Sequence, residues 1–192
     1  MSGNQFEDRE SDQLKPKDKI DYLFKVINRF DLYVNSTNTK ASLIIAWNGV
    51  LIGTILLKYS EILGIFQSAE WAKITAIILL SLIGTCSLIS NVFVFSVVFP
   101  FLRPSSKTPT GRILQIESML FFGSVAATGA EDYRKRIIDS DSVEIIADLA
   151  DQAATIAQGL QDKMQLIRKS LVIIGLGLVF IFGLLILKAV VT

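Results

Sequence analysis

The sequence predicts an all-α membrane protein in which three transmembrane helices are joined to long helices that extend into a small cytoplasmic helical region. Hydrophobic residues make up 51% of the 192 residues and the mean hydropathy is +0.50, which is too apolar for an ordinary soluble domain. These residues are gathered into three uncharged runs, 41–57, 74–102 and 170–187, each long enough to cross a bilayer. Apolar positions at helical spacing lead into the first and third runs, so continuous helices are expected there.

The first element is a polar, acidic stretch over 1–17, which is expected to be a disordered tail and is not a cleavable signal peptide. Residues 18–57 are then predicted to form one long helix. Its first half is amphipathic, and its second half, 41–57, is the first span, between Lys40 and Lys58. The apolar stripe of the first half consists of Ile20, Leu23, Ile27, Phe30, Val34, Thr37 and Ala41.

The second span is placed at about 74–99 because Pro100 and Pro104 stop the apolar run that ends at residue 102. Residues 103–169 are the predicted cytoplasmic region. A turn-rich loop covers 104–111, and the pattern over 112–127 fits either a strand-like piece or a short helix.

Two helix starts are predicted farther along the cytoplasmic region. Thr128 and Glu131 have capping-box spacing, which indicates a short helix through Tyr133 to Ile138. Asp141 and Glu144 repeat the signal and begin a much longer helix. An apolar seam at spacings of four and three follows this helix into the third span, which lies within 170–192. Its members are Ile146, Ala150, Ala153, Ala157, Leu160, Met164, Ile167, Leu171, Ile174 and Leu178.

Basic residues predict the orientation of the chain. Nine lie in 103–169 and seven precede the first span, whereas 58–73 carries two and the end of the chain after the third span carries one. The positive-inside rule therefore places the amino terminus and 103–169 in the cytoplasm and the carboxyl terminus outside, with membrane lipid as a partner.

Composition also excludes several function classes. The chain has no His, and its one Cys, Cys86, lies in an apolar run, which excludes a His- or Cys-ligated zinc site, a His-based nucleophile and an intramolecular disulfide. No catalytic residue, metal site or cofactor is predicted, so an enzyme is the least favoured class. The net charge of +1 gives no reason to expect nucleic acid as a partner.

Small and polar residues occur inside the spans. Gly49 and Gly53 form a small-xxx-small pair, which fits either packing within the chain or oligomerisation. Asn48 and Asn91 lie within the first and second spans, where they would either form hydrogen bonds between helices or line a pore.

An aromatic pair near basic residues is the candidate ligand site. Phe121 and Phe122 precede Gly123 and Ser124, and Tyr133–Arg136 follows. Such a group can stack a base and hold a phosphate. Alternatively, the two Phe side chains dock on the helical bundle and the basic residues meet anionic lipid headgroups.

Three blocks of sequence resemble a known family. The first is Arg29–Tyr33 followed by Asn38–Ser42, with Asn48 in the next span; the second is Phe121–Ser124 followed by Glu131–Tyr133; the third is Asp148–Gln152 followed by Lys163. Together they are similar to the transmembrane effectors of Pycsar, the pyrimidine cyclase system for antiphage resistance, over nearly all of 18–187.

The resemblance implies a multi-pass protein of the bacterial inner membrane. It also implies activation by a cyclic pyrimidine nucleotide, cyclic CMP or cyclic UMP, which a partner uridylate or cytidylate cyclase makes during phage infection. The activated effector impairs the membrane and causes abortive infection, and we expect a homo-oligomer.

The predicted ligand-binding residues combine basic groups for the cyclic phosphate with aromatic and hydroxyl groups for the nucleoside: Arg29, Lys40, Arg112, Phe121, Phe122, Ser124, Tyr133 and Arg134. Two other functions fit the same sequence. One is a helix-bundle scaffold that recruits a protein through 103–169, and the other is a small channel subunit without nucleotide control.

Overall fold

The computed structural model describes residues 14–67, 69–99 and 118–191, and within these ranges it contains five helices and no strand. This architecture confirms the all-α class with three long apolar helices. Residues 1–13 of the predicted tail over 1–17 lie outside the described residues, as do the loop over 104–111 and Arg112. Residues 16 and 17 of that tail are helical, so the first helix begins two residues before its predicted start.

Helix α1 runs without a break from Pro16 to Gly64, as the sequence predicts for its central part. A proline is well suited to the first position of a helix, and Asp18 in the first turn interacts favourably with the helix dipole. The helix continues seven residues beyond the predicted end at residue 57. Lys58 and Glu61 form an exposed ion pair of 2.8 Å in this extension, so its charges support the helix rather than ending it.

Helix α2 covers Glu70–Val98. Its end agrees with the prediction, because Phe99 has an extended backbone (φ −61°, ψ 130°) and a residue before proline is driven out of the helical region. Its start lies four residues before the predicted position.

Three more helices follow: α3 over Phe122–Ala127, α4 over Ala130–Asp139 and α5 over Ser142–Val191. Of the two structures that the sequence allows for 112–127, a short helix is found over its last six residues.

The capping box predicted for Thr128 and Glu131 is wrong. Thr128 Oγ1 donates to the carbonyl of Ser124 in α3, so it closes that helix, and Gly129 precedes α4 without a side-chain cap. The second cap is confirmed, since the backbone N–H of Glu144 donates to Asp141 Oδ1 at 2.7 Å.

The chain divides into two compact units. The first consists of Met1–Tyr33 with Phe101–Leu160, and the second of Val34–Pro100 with Gln161–Thr192. Within the described part of the first unit, buried apolar residues include Met119, Leu149 and Leu160. The second unit has two apolar clusters. Ala41, Val94, Val97 and Ile167 form one, and Phe66, Ala72, Ala76 and Leu187 form the other.

The two predicted stripes have different outcomes. Every position of the α1 stripe from Ile20 to Ala41 is at least half-buried. In α5 the structure confirms only part of the predicted buried seam. Ala153, Leu160 and Ile167 are buried, but Met164, Leu171 and Leu178 are about half exposed. The residues just before these, Lys163, Ser170 and Gly177, are buried instead. Lys163 and Ser170 are polar and form hydrogen bonds to other helices, which a pattern of apolar residues cannot detect.

Candidate functional site

The candidate site lies in the first unit and is built around Met119. Its backbone N–H donates to Asp148 Oδ2 on α5 at 2.9 Å, and its carbonyl accepts a hydrogen bond from the Tyr133 hydroxyl on α4 at 2.9 Å. Its side chain is 4% exposed, and its sulfur accepts a hydrogen bond from Ser140 Oγ. Both backbone groups and the side chain of Met119 are therefore held by residues of later elements.

The neighbouring Ser118 organises the same backbone. Its Oγ accepts hydrogen bonds from the N–H groups of Leu120 at 3.1 Å and Phe121 at 2.9 Å, which is a serine turn. It also accepts one from Gln152 Nε2 on α5 at 2.9 Å. We call residues Ser118–Phe121 the pinned segment, because side chains of α4 and α5 hold it in place.

Asp148 is the unusual residue of this site. The residue is 8% exposed, and its Oδ2 accepts the Met119 N–H. Its Oδ1 is fully enclosed and accepts no hydrogen bond within the described residues. An enclosed acceptor without a donor costs about 1–3 kcal/mol, and more when it is charged. The site therefore contains one strong acceptor that is available to a further donor.

The pinned segment and its hydrogen-bond partners include two aromatic residues. Phe121 is half-buried and immediately precedes α3, and Tyr133 is half-buried on α4. The Phe121 ring covers Gly123: a Cβ added to that glycine would lie 2.6 Å from Phe121 Cε1. Glycine at position 123 therefore allows the ring to pack against the start of α3. The pinned segment thus contains one predicted ligand residue, Phe121, and is held by another, Tyr133.

The other predicted ligand residues are more scattered. Ser124 is half-buried in α3, and Arg134 is exposed on α4. Arg29 is exposed, and its Nε donates to the hydroxyl of Tyr33 on the same helix at 3.0 Å. Lys40 is exposed and belongs to the second unit. Arg112 and the side chain of Phe122 lie outside what the structure describes.

Of the residues that hold the pinned segment, the predicted ligand set contains Tyr133 but not Asp148 or Gln152, which enter the sequence analysis only as the ends of the third family block. Asp148 and Gln152 are four residues apart and therefore share one face of α5, which is a signal that would have found them. Ser118 and Met119 carry no comparable signal, because their partners on α5 are 34 and 29 residues away in sequence, respectively.

The second unit contains a polar network among three helices. Asn48 Nδ2 on α1 donates to Ser90 Oγ at 3.0 Å and to Asn91 Oδ1 at 2.9 Å, both on α2. Ser90 Oγ is also 2.7 Å from Ser170 Oγ on α5. Of the two roles predicted for the asparagines, these contacts support hydrogen bonding between helices.

Lys163 is a second buried polar group of this unit. It lies seven residues before the uncharged run 170–187, is 9% exposed, and donates from Nζ to Asn38 Oδ1 at 3.0 Å. No acidic residue pairs with it in the described part of the chain. Burial away from water therefore lowers the pKa of the Lys163 ammonium.

The fold and the site together define the class of protein. Three described helices, Pro16–Gly64, Glu70–Val98 and Ser142–Val191, are long and apolar enough to cross a membrane, and a hydrogen-bonded polar site accompanies them. The molecule is a multi-span helical membrane protein.

A family model described as Pycsar effector protein domain, PycTM, matches residues 22–190. The chain therefore belongs to the Pycsar effector family, whose members serve antiphage defence in response to a cyclic nucleotide signal from a partner cyclase. Neither the curated proteins nor the solved structures contain a match.

Proposed function

We propose that this protein is a ligand-gated effector of the bacterial inner membrane. A cyclic pyrimidine nucleotide, cyclic CMP or cyclic UMP, binds at the pinned segment and activates the protein. The activated protein, acting as a homo-oligomer, impairs the membrane and causes abortive infection. It is not an enzyme and needs no cofactor besides this activating ligand.

The observation that carries the proposal is the continuity of α5. Asp148 and Gln152 hold the pinned segment, and the same helix continues without interruption to Val191 through its apolar part. At about 1.5 Å per residue, its 50 residues extend about 75 Å, more than twice the ~30 Å of bilayer hydrocarbon. A ligand that displaces the pinned segment therefore acts directly on a membrane helix.

The proposed ligand contacts follow from charge and shape. Phe121 and Tyr133 supply aromatic faces for the base, since base stacking on aromatic side chains contributes about 1–3 kcal/mol per base. Basic residues neutralise the cyclic phosphate, and Arg134 is exposed on the helix that carries Tyr133. Arg29, Arg112, Phe122 and Ser124 complete the proposed set.

The test uses the full-length protein in vesicles of phosphatidylethanolamine and phosphatidylglycerol that contain a self-quenched dye. We expect dye release and loss of membrane potential with cyclic CMP, cyclic UMP or both, and neither effect with cyclic AMP. Phe121→Ala should abolish the response. Ile138→Ala is the matched control, because Ile138 is 73% exposed and truncating it should leave the response unchanged.

Intact vesicles with both pyrimidine nucleotides would overturn the proposal. In that case, a partner that co-purifies with the protein would support the scaffold function. Dye release that needs no nucleotide would instead support a small channel subunit.

The orientation is part of the proposal and has its own test. The excess of basic residues before the first span and in 103–169 supports a cytoplasmic amino terminus and a periplasmic carboxyl terminus. Alkaline phosphatase, which is active only in the periplasm, should be active when fused after residue 192 and inactive when fused before residue 1. The reverse pattern would contradict this orientation.

A further inference from the structure

We infer that Asp148 recognises the amino group of the ligand base, so that the effector responds better to cyclic CMP than to cyclic UMP. This inference rests on the proposed function, because it names the ligand of that site. It begins from the one enclosed side-chain acceptor that has no donor in the described part of the chain, Asp148 Oδ1.

The geometry limits what can satisfy this acceptor. The other oxygen of the carboxylate accepts the Met119 N–H at 2.9 Å, so Oδ1 is the oxygen that lacks a hydrogen bond. The free oxygen of a carboxylate is a strong acceptor and cannot donate. The group that completes the site must therefore present an N–H or O–H, and it must do so in a place that is closed to water.

The two candidate bases differ at this point. Cytosine carries a 4-amino group, and Asp and Glu side chains accept hydrogen bonds from this group when proteins recognise cytosine. Uracil has a carbonyl oxygen at the same position. This oxygen and the carboxylate oxygen are both acceptors, so no hydrogen bond can form between them. The remaining uracil donor, N3–H, lies between two carbonyl oxygens that would also face the carboxylate. The site therefore fits the amino pyrimidine.

Ligand entry requires a local rearrangement, because Oδ1 is enclosed. Met119 lies beside it and is the natural gate, since methionine has three rotatable bonds and fills irregular spaces. Displacing the Met119 side chain breaks its contact with Ser140 Oγ, while the Met119 N–H stays on Oδ2 and the base amino group takes Oδ1. Recognition of the base is thus coupled to a rearrangement of the pinned segment.

The test is calorimetric titration of the detergent-solubilised full-length protein with cyclic CMP and cyclic UMP. Asp148→Asn keeps the size of the side chain and gives it a donor beside the retained acceptor. With the amide oxygen on the Met119 N–H, the NH₂ group faces the base and suits the uracil carbonyl. We expect cyclic CMP affinity to fall about 10- to 100-fold and cyclic UMP to become the better ligand.

Asp151→Asn is the matched control, because it removes the same charge three residues later at an exposed position. It should leave the preference for cyclic CMP unchanged. A second measurement avoids mutation: the N4,N4-dimethyl derivative of cyclic CMP lacks both amino hydrogens and should bind the unmutated protein at least about tenfold more weakly.

Three results would overturn the inference while leaving the proposed function intact. These are a preference of the unmutated protein for cyclic UMP, unchanged preference in Asp148→Asn, and equal binding of the dimethyl derivative. A loss of affinity for 2′-deoxy cyclic CMP, together with unchanged preference in Asp148→Asn, would assign the acceptor to the ribose hydroxyl instead. Failure of both nucleotides to bind the unmutated protein would refute the proposed function as well.

Discussion

Removing the Asn48 amide should destabilise the second unit by an amount that the contacts allow us to work out. Asn48 is 1% exposed and donates two hydrogen bonds, to Ser90 and Asn91. Hydrogen bonds between transmembrane helices contribute about 0.6 kcal/mol on average and up to about 1.7 kcal/mol. Asn48→Ala should therefore lower the free energy of unfolding by about 1–3 kcal/mol, with a further loss for the space left by the truncation.

A double-mutant cycle separates the hydrogen bond from the packing loss. Asn48→Ala, Asn91→Ala and the double variant should show a coupling energy of about 0.5–1.5 kcal/mol for this pair. The assay is reversible unfolding in mixed micelles of a mild detergent and sodium dodecyl sulfate, followed by far-ultraviolet circular dichroism. Ser90 keeps its contact with Ser170 in each variant, so the cycle reports the asparagine pair alone.

Ser81→Ala is the matched control for this experiment. Ser81 is exposed on α2, and its hydroxyl donates to the carbonyl of Ile77 in its own helix, so no contact between helices is lost. Its change in unfolding free energy should stay below about 0.5 kcal/mol. If Asn48→Ala were as mild as this control, or if the coupling energy were zero, the three-helix network would not stabilise the second unit and the reasoning would be refuted.

Three further predictions follow from single contacts. Because the pKa of Lys163 is lowered in the folded state, the unfolded chain binds more protons than the folded one. Thermal stability in detergent should therefore rise as the pH increases toward the ordinary lysine pKa of about 10.4. The Lys163→Met variant should not show this rise. Tyr133→Phe removes the donor to the Met119 carbonyl and should lower the free energy of chemical unfolding by about 0.5–1.5 kcal/mol. It should also weaken nucleotide binding measured by calorimetry. Unchanged nucleotide affinity would show that this hydrogen bond does not contribute to the ligand site. Asp141→Ala removes the cap of α5 and should lower stability by about 1 kcal/mol, whereas Asp141→Asn, which still accepts from the Glu144 N–H, should cost less.

The long helices and the apolar spans could be predicted from the sequence because their signals are local and repeated. Helical spacing and uncharged length determine α1, α2 and α5 almost without reference to the rest of the chain. The extension of α1 to Gly64 is not predicted by the apolar run, which ends at Lys58, because Lys58 and Glu61 pair within the helix.

The candidate site was harder to predict for a physical reason. Phe121 and Tyr133 are recognisable as aromatic residues near basic ones, but the atoms that join them belong to Met119, whose backbone is donor and acceptor at once. Every residue type except proline has both backbone groups, so no residue pattern predicts such a contact. Asp148 and Gln152 share one face of α5, but this spacing does not identify the distant residues that they hold.

The polar residues of the second unit also restrict how the proposed activation can move its helices. Lys163, Ser170 and Gly177 follow one another at seven-residue spacing in the buried stripe of α5, and Ser170 meets Ser90 of α2. A slide of α5 by one such repeat, about 10 Å along its axis, would bring Lys163 to the position of Ser170. That move would break the Lys163–Asn38 contact and carry an ammonium toward the apolar run, at about 2.5–3.5 kcal/mol for a lysine at the centre of a span. Rotation, tilting or assembly of the helices avoids this cost. The hydrogen bonds of the second unit therefore favour activation by repacking over activation by sliding.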